Sequence, residues 1–185
     1  MKSQGHGKAK VLNPSELSLL MSEFKKEPLD ACLFAICLFT GCRISEALQL
    51  QTSDISRSHI TFRKSTTKAR LKTRTVPITP QLRSYLENYQ PKKAGYMFPG
   101  LLGRQSLHLT RNTADRRLKM ACARVGIEGV STHSFRRTAL TYMYRAGIPL
   151  RTIQEISGHS DLATLQIYLD VLPEDVEAAV QAIYF

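Results

Sequence analysis

The sequence predicts an α+β fold, mainly helical with one small antiparallel β-sheet, and three observations carry that prediction. Apolar residues recur at helical spacing through most of the chain, including the dense stretch Leu33 to Phe39. Only two short segments, His59 to Arg63 and Arg74 to Ile78, have strand character, and a basic loop joins them. Proline and glycine sit where helices start and stop, as in Asn13-Pro14, Pro80 and Thr40-Gly41-Cys42. With 185 residues and 43% hydrophobic content, the chain is long enough to bury one real core, and a disordered chain is excluded.

Element by element, residues 1–10 are polar, basic and glycine-containing and read as a flexible arm. Asn13 caps the first helix, with Pro14 at its first position and Glu16 three residues on from the cap, and the helix runs to about Lys26. A second helix spans about Leu29 to Phe39 and is broken by Thr40-Gly41-Cys42. A third begins near Arg43 and turns Ile44, Ala47 and Leu48 inward. The two strands follow, then a helix opened by Pro80, and a short extended piece at Tyr96-Met97-Phe98. Further helices are expected over roughly Thr110 to Val125, Ser134 to Arg145, Pro149 to Ser157, Asp161 to Tyr168 and Pro173 to Ile183. The last has Val176, Ala179, Val180 and Ile183 at helical spacing, an apolar stripe on an acidic helix. Residues 11–172 are read as one domain and 173–185 as its terminal helix, which docks either on its own core or on a neighbouring protomer.

Charge is segregated along the chain. The net charge is +11, and between Ile55 and Leu86 stand eight Lys or Arg residues (Arg57, Arg63, Lys64, Lys68, Arg70, Lys72, Arg74, Arg83) and no acid. From Ser160 onward the sign reverses, with five acids and no Lys or Arg. Such a distribution points to one face built for phosphates, with Arg63, Lys64, Arg70, Lys72, Arg74 and Arg137 as its candidate contacts. Arg137 is read as either a DNA-backbone or a structural contact. The cysteines Cys32, Cys37 and Cys42 recur every five residues and would diverge around a helix at about 100° per residue. With Cys122 they read as small buried hydrophobes in a reducing compartment, neither a disulfide pair nor a metal site. No apolar run reaches membrane-spanning length and the amino terminus has no signal-peptide core, so a cytoplasmic location is expected, with no membrane partner.

Chemistry concentrates at a few positions. Tyr168 offers a phenol, whose ordinary pKa of about 10 makes it a weak nucleophile until cations stabilise the phenolate. Arg43 and Arg136 offer guanidinium forks, each able to present two parallel donors to non-bridging phosphate oxygens. His133 and Arg136 at i, i+3 share a helix face, and His159 adds a second imidazole. Taken singly, each has a plain structural reading: a core tyrosine, a solvated arginine, a satisfied histidine. Glu46, one turn after Arg43, would orient it through an i, i+3 ion pair.

The set gains force in order. Thr40-Gly41-Cys42-Arg43-Ile44-Ser45-Glu46-Ala47-Leu48, Thr132-His133-Ser134-Phe135-Arg136-Arg137-Thr138, and Gly158-His159 with Tyr168 nine residues after that histidine together resemble the catalytic domain of tyrosine recombinases, or phage-integrase-type site-specific recombinases. The resemblance covers roughly residues 11–185. It implies the DNA breaking-rejoining fold and a metal-independent strand exchange without cofactor: Tyr168 attacks the scissile phosphorus, forms a 3′-phosphotyrosyl bond and releases a 5′ hydroxyl. Arg43, His133, Arg136 and His159 would surround the phosphate, and Lys68, on a hairpin resembling the family's, would donate a proton to the departing oxygen. Lys72 and Lys64 are its rivals for that role. The implied partner is double-stranded DNA with a specific target site, bound as a homotetramer, with a monomer or weak oligomer off DNA. The chain departs from the pattern at Ser157, Leu165 and Asp170, where leucine, threonine and histidine are frequent, and the family's amino-terminal core-binding domain is expected to be absent. Two other readings stand beside this one: a type IB topoisomerase-like relaxing enzyme, and a non-catalytic DNA-binding module that keeps the fold.

Overall fold

The computed structural model describes residues 9–66, 73–91, 94–100 and 107–169, together with 176, 177, 180 and 181. In chain order, the helices are α1 (Pro14–Phe24), α2 (Pro28–Thr40), α3 (Ile44–Leu48), α4 (Pro80–Asn88), α5 (Arg111–Val125), α6 (Thr132–Arg145), α7 (Leu150–Ser157) and α8 (Leu162–Gln166). Strands β1 (His59–Phe62) and β2 (Arg74–Pro77) fall between α3 and α4.

Local signals explain most boundaries. Asn13 Oδ1 accepts from the Glu16 backbone N–H at 2.9 Å while Glu16 returns a carboxylate to the Asn13 N–H at 3.1 Å, so two orphan donors at the start of α1 are satisfied reciprocally. Thr79, Thr110 and Asp161 cap α4, α5 and α8 through side-chain oxygens. α2 ends at Gly41, whose φ of 61° lies in the left-handed region, and α7 ends at Gly158 in the same way. The helix expected over Asp161 to Tyr168 stops at Gln166, and Tyr168 sits in the following turn, its N–H donating to the Leu165 carbonyl at 2.9 Å.

α2 is the centre of the molecule: nearly every residue from Asp30 to Cys37 is buried, and the helix packs against α1, α3, α4 and α6. Phe34 stacks between Phe24 of α1 and Phe135 of α6, with ring centroids 4.8 and 4.9 Å away. β1 and β2 pair antiparallel, His59 opposite Pro77 and Phe62 opposite Arg74. A second, smaller core of Leu140, Ile153, Leu165 and Leu169 ties α6, α7 and α8 together, with Tyr168 packed against it. All four cysteines are buried free thiols. Cys37 and Cys42 nevertheless meet as hydrogen-bonding neighbours, because the left-handed Gly41 ends the helical periodicity that would have separated them.

Residues 9 and 10 belong to the fold, where a flexible arm was expected. Arg137 Nη1 donates to the Ala9 carbonyl, Lys10 pairs with Glu16, and Thr138 Oγ1 accepts from the Leu12 N–H at 2.9 Å. Of the expected terminal helix, the four described residues are helical, and Val176 and Val180 are exposed. Among the described residues no helix is long and apolar enough to cross a membrane.

Thr138 is fully buried, so Thr138→Val leaves the Leu12 N–H without its acceptor while keeping the side-chain shape. We expect a loss of about 1–3 kcal/mol, read as a melting temperature lower by at least about 2 °C in calorimetry.

Candidate active site

Of the six expected chemical residues, Arg136, His159 and Tyr168 are in contact, Arg43 and His133 lie within electrostatic reach of Arg136, and each of these stands near the end of an element. Arg43 is the residue before α3, set there by the Gly41 turn, with its backbone N–H donating to Glu46 Oε2 at 2.9 Å and its guanidinium to Glu46 Oε1 at 3.2 Å. His133 and Arg136 lie in the first two turns of α6, His159 follows Gly158 at the end of α7, and Tyr168 follows α8. The Tyr168 ring lies 5.6 Å from the Arg136 guanidinium carbon and 5.1 Å, centroid to centroid, from the His159 ring. Lys68, Arg70 and Lys72 lie outside the described residues.

Arg136 is the most deeply held of these groups at 1% exposure. Its Nη1 donates to the carbonyls of Gly41 at 2.6 Å and Ser157 at 2.9 Å, and its Nη2 reaches His159 Nε2 at 2.8 Å. It therefore bolts the end of α2 to the end of α7. Its buried Nε has no hydrogen-bond partner among the described residues. Burial, then the charge of Arg43, lowers its pKa to about 10, which still leaves it charged at neutral pH.

Glu46, 1% exposed, is the counterion of the site. Besides Arg43 it binds Arg74, whose Nη2 donates to Oε2 at 2.9 Å. Burial alone would raise its carboxyl pKa, but the attraction of Arg74 and its hydrogen bond outweigh burial, and the net shift is downward. The expected orienting pair with Arg43 is thus present, with Arg74 as a second claimant. Three guanidiniums, Arg43, Arg74 and Arg136, gather around this one carboxylate.

Arg74 corrects an expectation. Read from charge as a phosphate contact, it is buried: Nε donates to the Ile156 carbonyl at 3.0 Å and its guanidinium carbon lies 4.2 Å from the centroid of the Phe62 ring. The cause is strand alternation, which turns Arg74 and Val76 inward and Thr75 and Pro77 outward. Gly158 has no room for a side chain because a Cβ there would stand 3.0 Å from Arg74 Nη1. Arg137 is also turned inward, at 7% exposure, and holds the carbonyls of Ala9 and Tyr168, so the structural reading applies. Arg63 pairs with Asp54 at 3.1 Å, and with Lys64, Ser65 and Thr73 it lines an open surface depression.

Both histidines are held neutral. Burial, then Arg136 and Arg43, pushes His159 down to about 3; burial, then Arg111, Arg136 and Arg43, also lowers His133. Arg111, exposed at the start of α5, is a cation of this site that the motif reading passed over; its only sequence signal is its place at a helix start after Thr110. Ser157 was also passed over as a functional group: its Oγ lies 2.7 Å from His159 Nδ1.

Two predictions follow from these partners. Glu46→Gln leaves three neighbouring guanidiniums without their carboxylate, and we expect chemical denaturation to show a loss of about 3 kcal/mol or more. The second concerns pH. The native state keeps His159 neutral while the unfolded chain takes up a proton near pH 6.5, so the His159 contribution is flat above that value and falls as pH drops toward 3. Between about pH 6.5 and pH 5, where carboxylates remain ionised, the loss should be on the order of 1–2 kcal/mol, and His159→Asn should reduce it.

Residues 10–175 match the model of the phage integrase family. A tyrosine recombinase of Pseudothermotoga lettingae is 31% identical over 165 residues, which cover 89% of this chain and 57% of that protein. The catalytic domain of bacteriophage HP1 integrase superposes with a TM-score of 0.68 at 27% identity, covering 95% of each chain. XerH site-specific recombinase, bound to its difH substrate before cleavage, gives a TM-score of 0.73 at 24% identity, covering 93% of this chain and 54% of that one. The chain therefore spans somewhat more than half the length of the curated relative and of XerH. A helical fold with one two-stranded sheet and a tyrosine beside a buried arginine and histidine, joined to these matches, makes the chain a member of the phage integrase family, with the fold of a tyrosine recombinase catalytic domain.

Proposed function

We propose that this chain carries out site-specific DNA recombination by cleaving and rejoining strands through a 3′-phosphotyrosyl intermediate. The observation that carries the reading is the packing of the Tyr168 ring against Arg136 and His159, within electrostatic reach of Arg43. A phenol in that place lies beside a fixed guanidinium, and a phosphate would meet guanidiniums already held in position.

In the proposed step, Tyr168 Oη attacks phosphorus and the bond to the 5′ oxygen breaks. Arg43 and Arg136 stabilise the charge that builds on the non-bridging oxygens. A neutral His133 or His159 donates one N–H to an oxygen or exchanges a proton with the phenol. Lys68 is assigned, by family resemblance, to protonate the departing oxygen. The released hydroxyl then attacks the equivalent phosphotyrosyl bond of a partner strand. One ester replaces another, so no external energy source is needed.

Double-stranded DNA with a specific target site is the proposed partner. Lys64 and the rim of the depression it shares with Arg63, together with Lys68, Arg70 and Lys72, are the proposed backbone contacts. XerH site-specific recombinase, a neighbour in fold, was solved bound to its difH substrate. A homotetramer on DNA is proposed from the exposed Val176 and Val180, an apolar stripe of the terminal segment with room for a neighbouring protomer. A cytoplasmic location accords with this chemistry.

Nicked suicide duplexes drawn from the DNA flanking the coding sequence provide the test. The wild-type chain should form a covalent adduct that survives denaturation, and Tyr168→Phe should form none. Arg43→Ala should lower adduct formation by about 10²–10³-fold with only modest weakening of duplex binding in gel shift. Loss of binding equal to the loss of cleavage would contradict the assignment, and supercoil relaxation without a partner site would turn it toward a topoisomerase.

A further inference from the structure

From the contacts at the end of α7 we infer that Ser157 is a positioning residue for His159: its hydroxyl fixes the imidazole by Nδ1 and selects which proton the other nitrogen carries. The inference deepens the proposed function, since it concerns the same phosphate site.

Arg136 Nη2 stands 2.8 Å from His159 Nε2 and 3.3 Å from Nδ1, and Ser157 Oγ stands 2.7 Å from Nδ1. A guanidinium has only donors, and its shorter contact is to Nε2, so we give Nε2 the lone pair. The one N–H of the neutral ring is then on Nδ1 and donates to Ser157 Oγ. The Ser157 hydroxyl donates in turn to the Gln154 carbonyl at 3.3 Å. Gln154 Nε2 donates to the His159 carbonyl at 3.2 Å, so α7 grips this residue by ring and backbone together. Ser157 is fully buried and His159 is 5% exposed, which shields both bonds from water.

A hydroxyl is the group this position needs, because it can accept or donate. With the site empty it accepts from Nδ1, and Nε2 receives Arg136. When a phosphate oxygen draws Arg136 Nη2 to itself, Nε2 loses its donor and faces an acceptor. The Nδ1 proton then leaves to solvent, Nε2 takes up a proton from solvent, and the serine hydroxyl rotates from Gln154 to donate to Nδ1. The ring ends neutral, with Nε2–H directed at the phosphate. Leucine, which the family resemblance places here frequently, has neither a donor nor an acceptor, so this device belongs to Ser157 in this chain.

The test uses the full chain labelled with ¹⁵N-histidine. Long-range ¹H–¹⁵N spectra of the DNA-free protein at neutral pH should show His159 with a protonated Nδ1 and a bare Nε2. Ser157→Ala, which removes one buried oxygen without adding volume, should shift both nitrogens toward averaged tautomer values, and Ser157→Thr should restore the wild-type pair. Adduct formation on a nicked suicide duplex should fall about tenfold in Ser157→Ala and recover in Ser157→Thr, with duplex binding unchanged in each. A wild-type spectrum with the proton on Nε2, or ring nitrogens unmoved in Ser157→Ala, overturns the inference. Wild-type cleavage by Ser157→Ala also overturns it. Absence of any adduct from the wild-type chain defeats the recombinase reading instead, and leaves the spectra to decide the role of Ser157.

Discussion

Glu46 is a single buried carboxylate with two arginines bonded to it and a third nearby, and the geometry of the site depends on how that carboxylate is shared. Taking an ion pair out of water costs more than its Coulomb attraction returns unless further hydrogen bonds satisfy the remaining donors and acceptors. Here they do so for Glu46. Its oxygens bind the Arg43 backbone, the Arg43 side chain and Arg74, and Arg74 goes on to the Ile156 carbonyl. The start of α3, strand β2 and the end of α7 are thereby fixed to one point. Arg43 cannot swing into solvent without giving up a partner, so its orientation is settled before any anion arrives.

The same arrangement leaves positive charge in excess. Three guanidiniums face one carboxylate, and the two imidazoles nearby are neutral, so the net excess is two positive charges, and Arg136 alone of the three has no bonded carboxylate among the described residues. The Nε of Arg136 has no hydrogen-bond partner among them. A site of this kind gives up stability for a fixed arrangement: burial, and then repulsion from Arg43, depresses the Arg136 pKa. The smaller core formed by α6, α7 and α8 carries His159 and Tyr168 against that charge, and Arg137 adds a bond to the Tyr168 carbonyl.

Much of this was legible in the chain, because the signals that stop and start helices are local. Asn13-Pro14-Ser15-Glu16 closes a capping box as its letters predict, and Gly41 ends α2 at the expected place. The recombinase motifs named Arg43, His133, Arg136, His159 and Tyr168; the last three are in contact, and Arg43 and His133 lie within electrostatic reach of Arg136. Charge counting served less well, because a count of arginines does not say which are buried. Arg74 was assigned to phosphate from its company, although alternation with Val76 already placed it on the inward face of β2. Arg137 was left between a DNA-backbone and a structural contact, because helical spacing alone gives one buried face, whereas α6 is buried from Ser134 to Thr141. The meeting of Cys37 with Cys42 depended on a left-handed glycine between them, and a periodicity argument fails across such a break.

Neutral histidines beside charged arginines amount to a division of labour that burial enforces. An imidazolium here would face Arg43 and Arg136 with little water to screen it, and His159 accordingly loses its proton far below the ordinary range. The arginines, whose basicity is too high for burial to neutralise them at physiological pH, supply all the fixed charge. The imidazoles are left with a lone pair and one proton each. The low pKa of His159 thus follows first from its burial and then from the charges of Arg136 and Arg43, so opening the site to water would raise it even with both arginines in place.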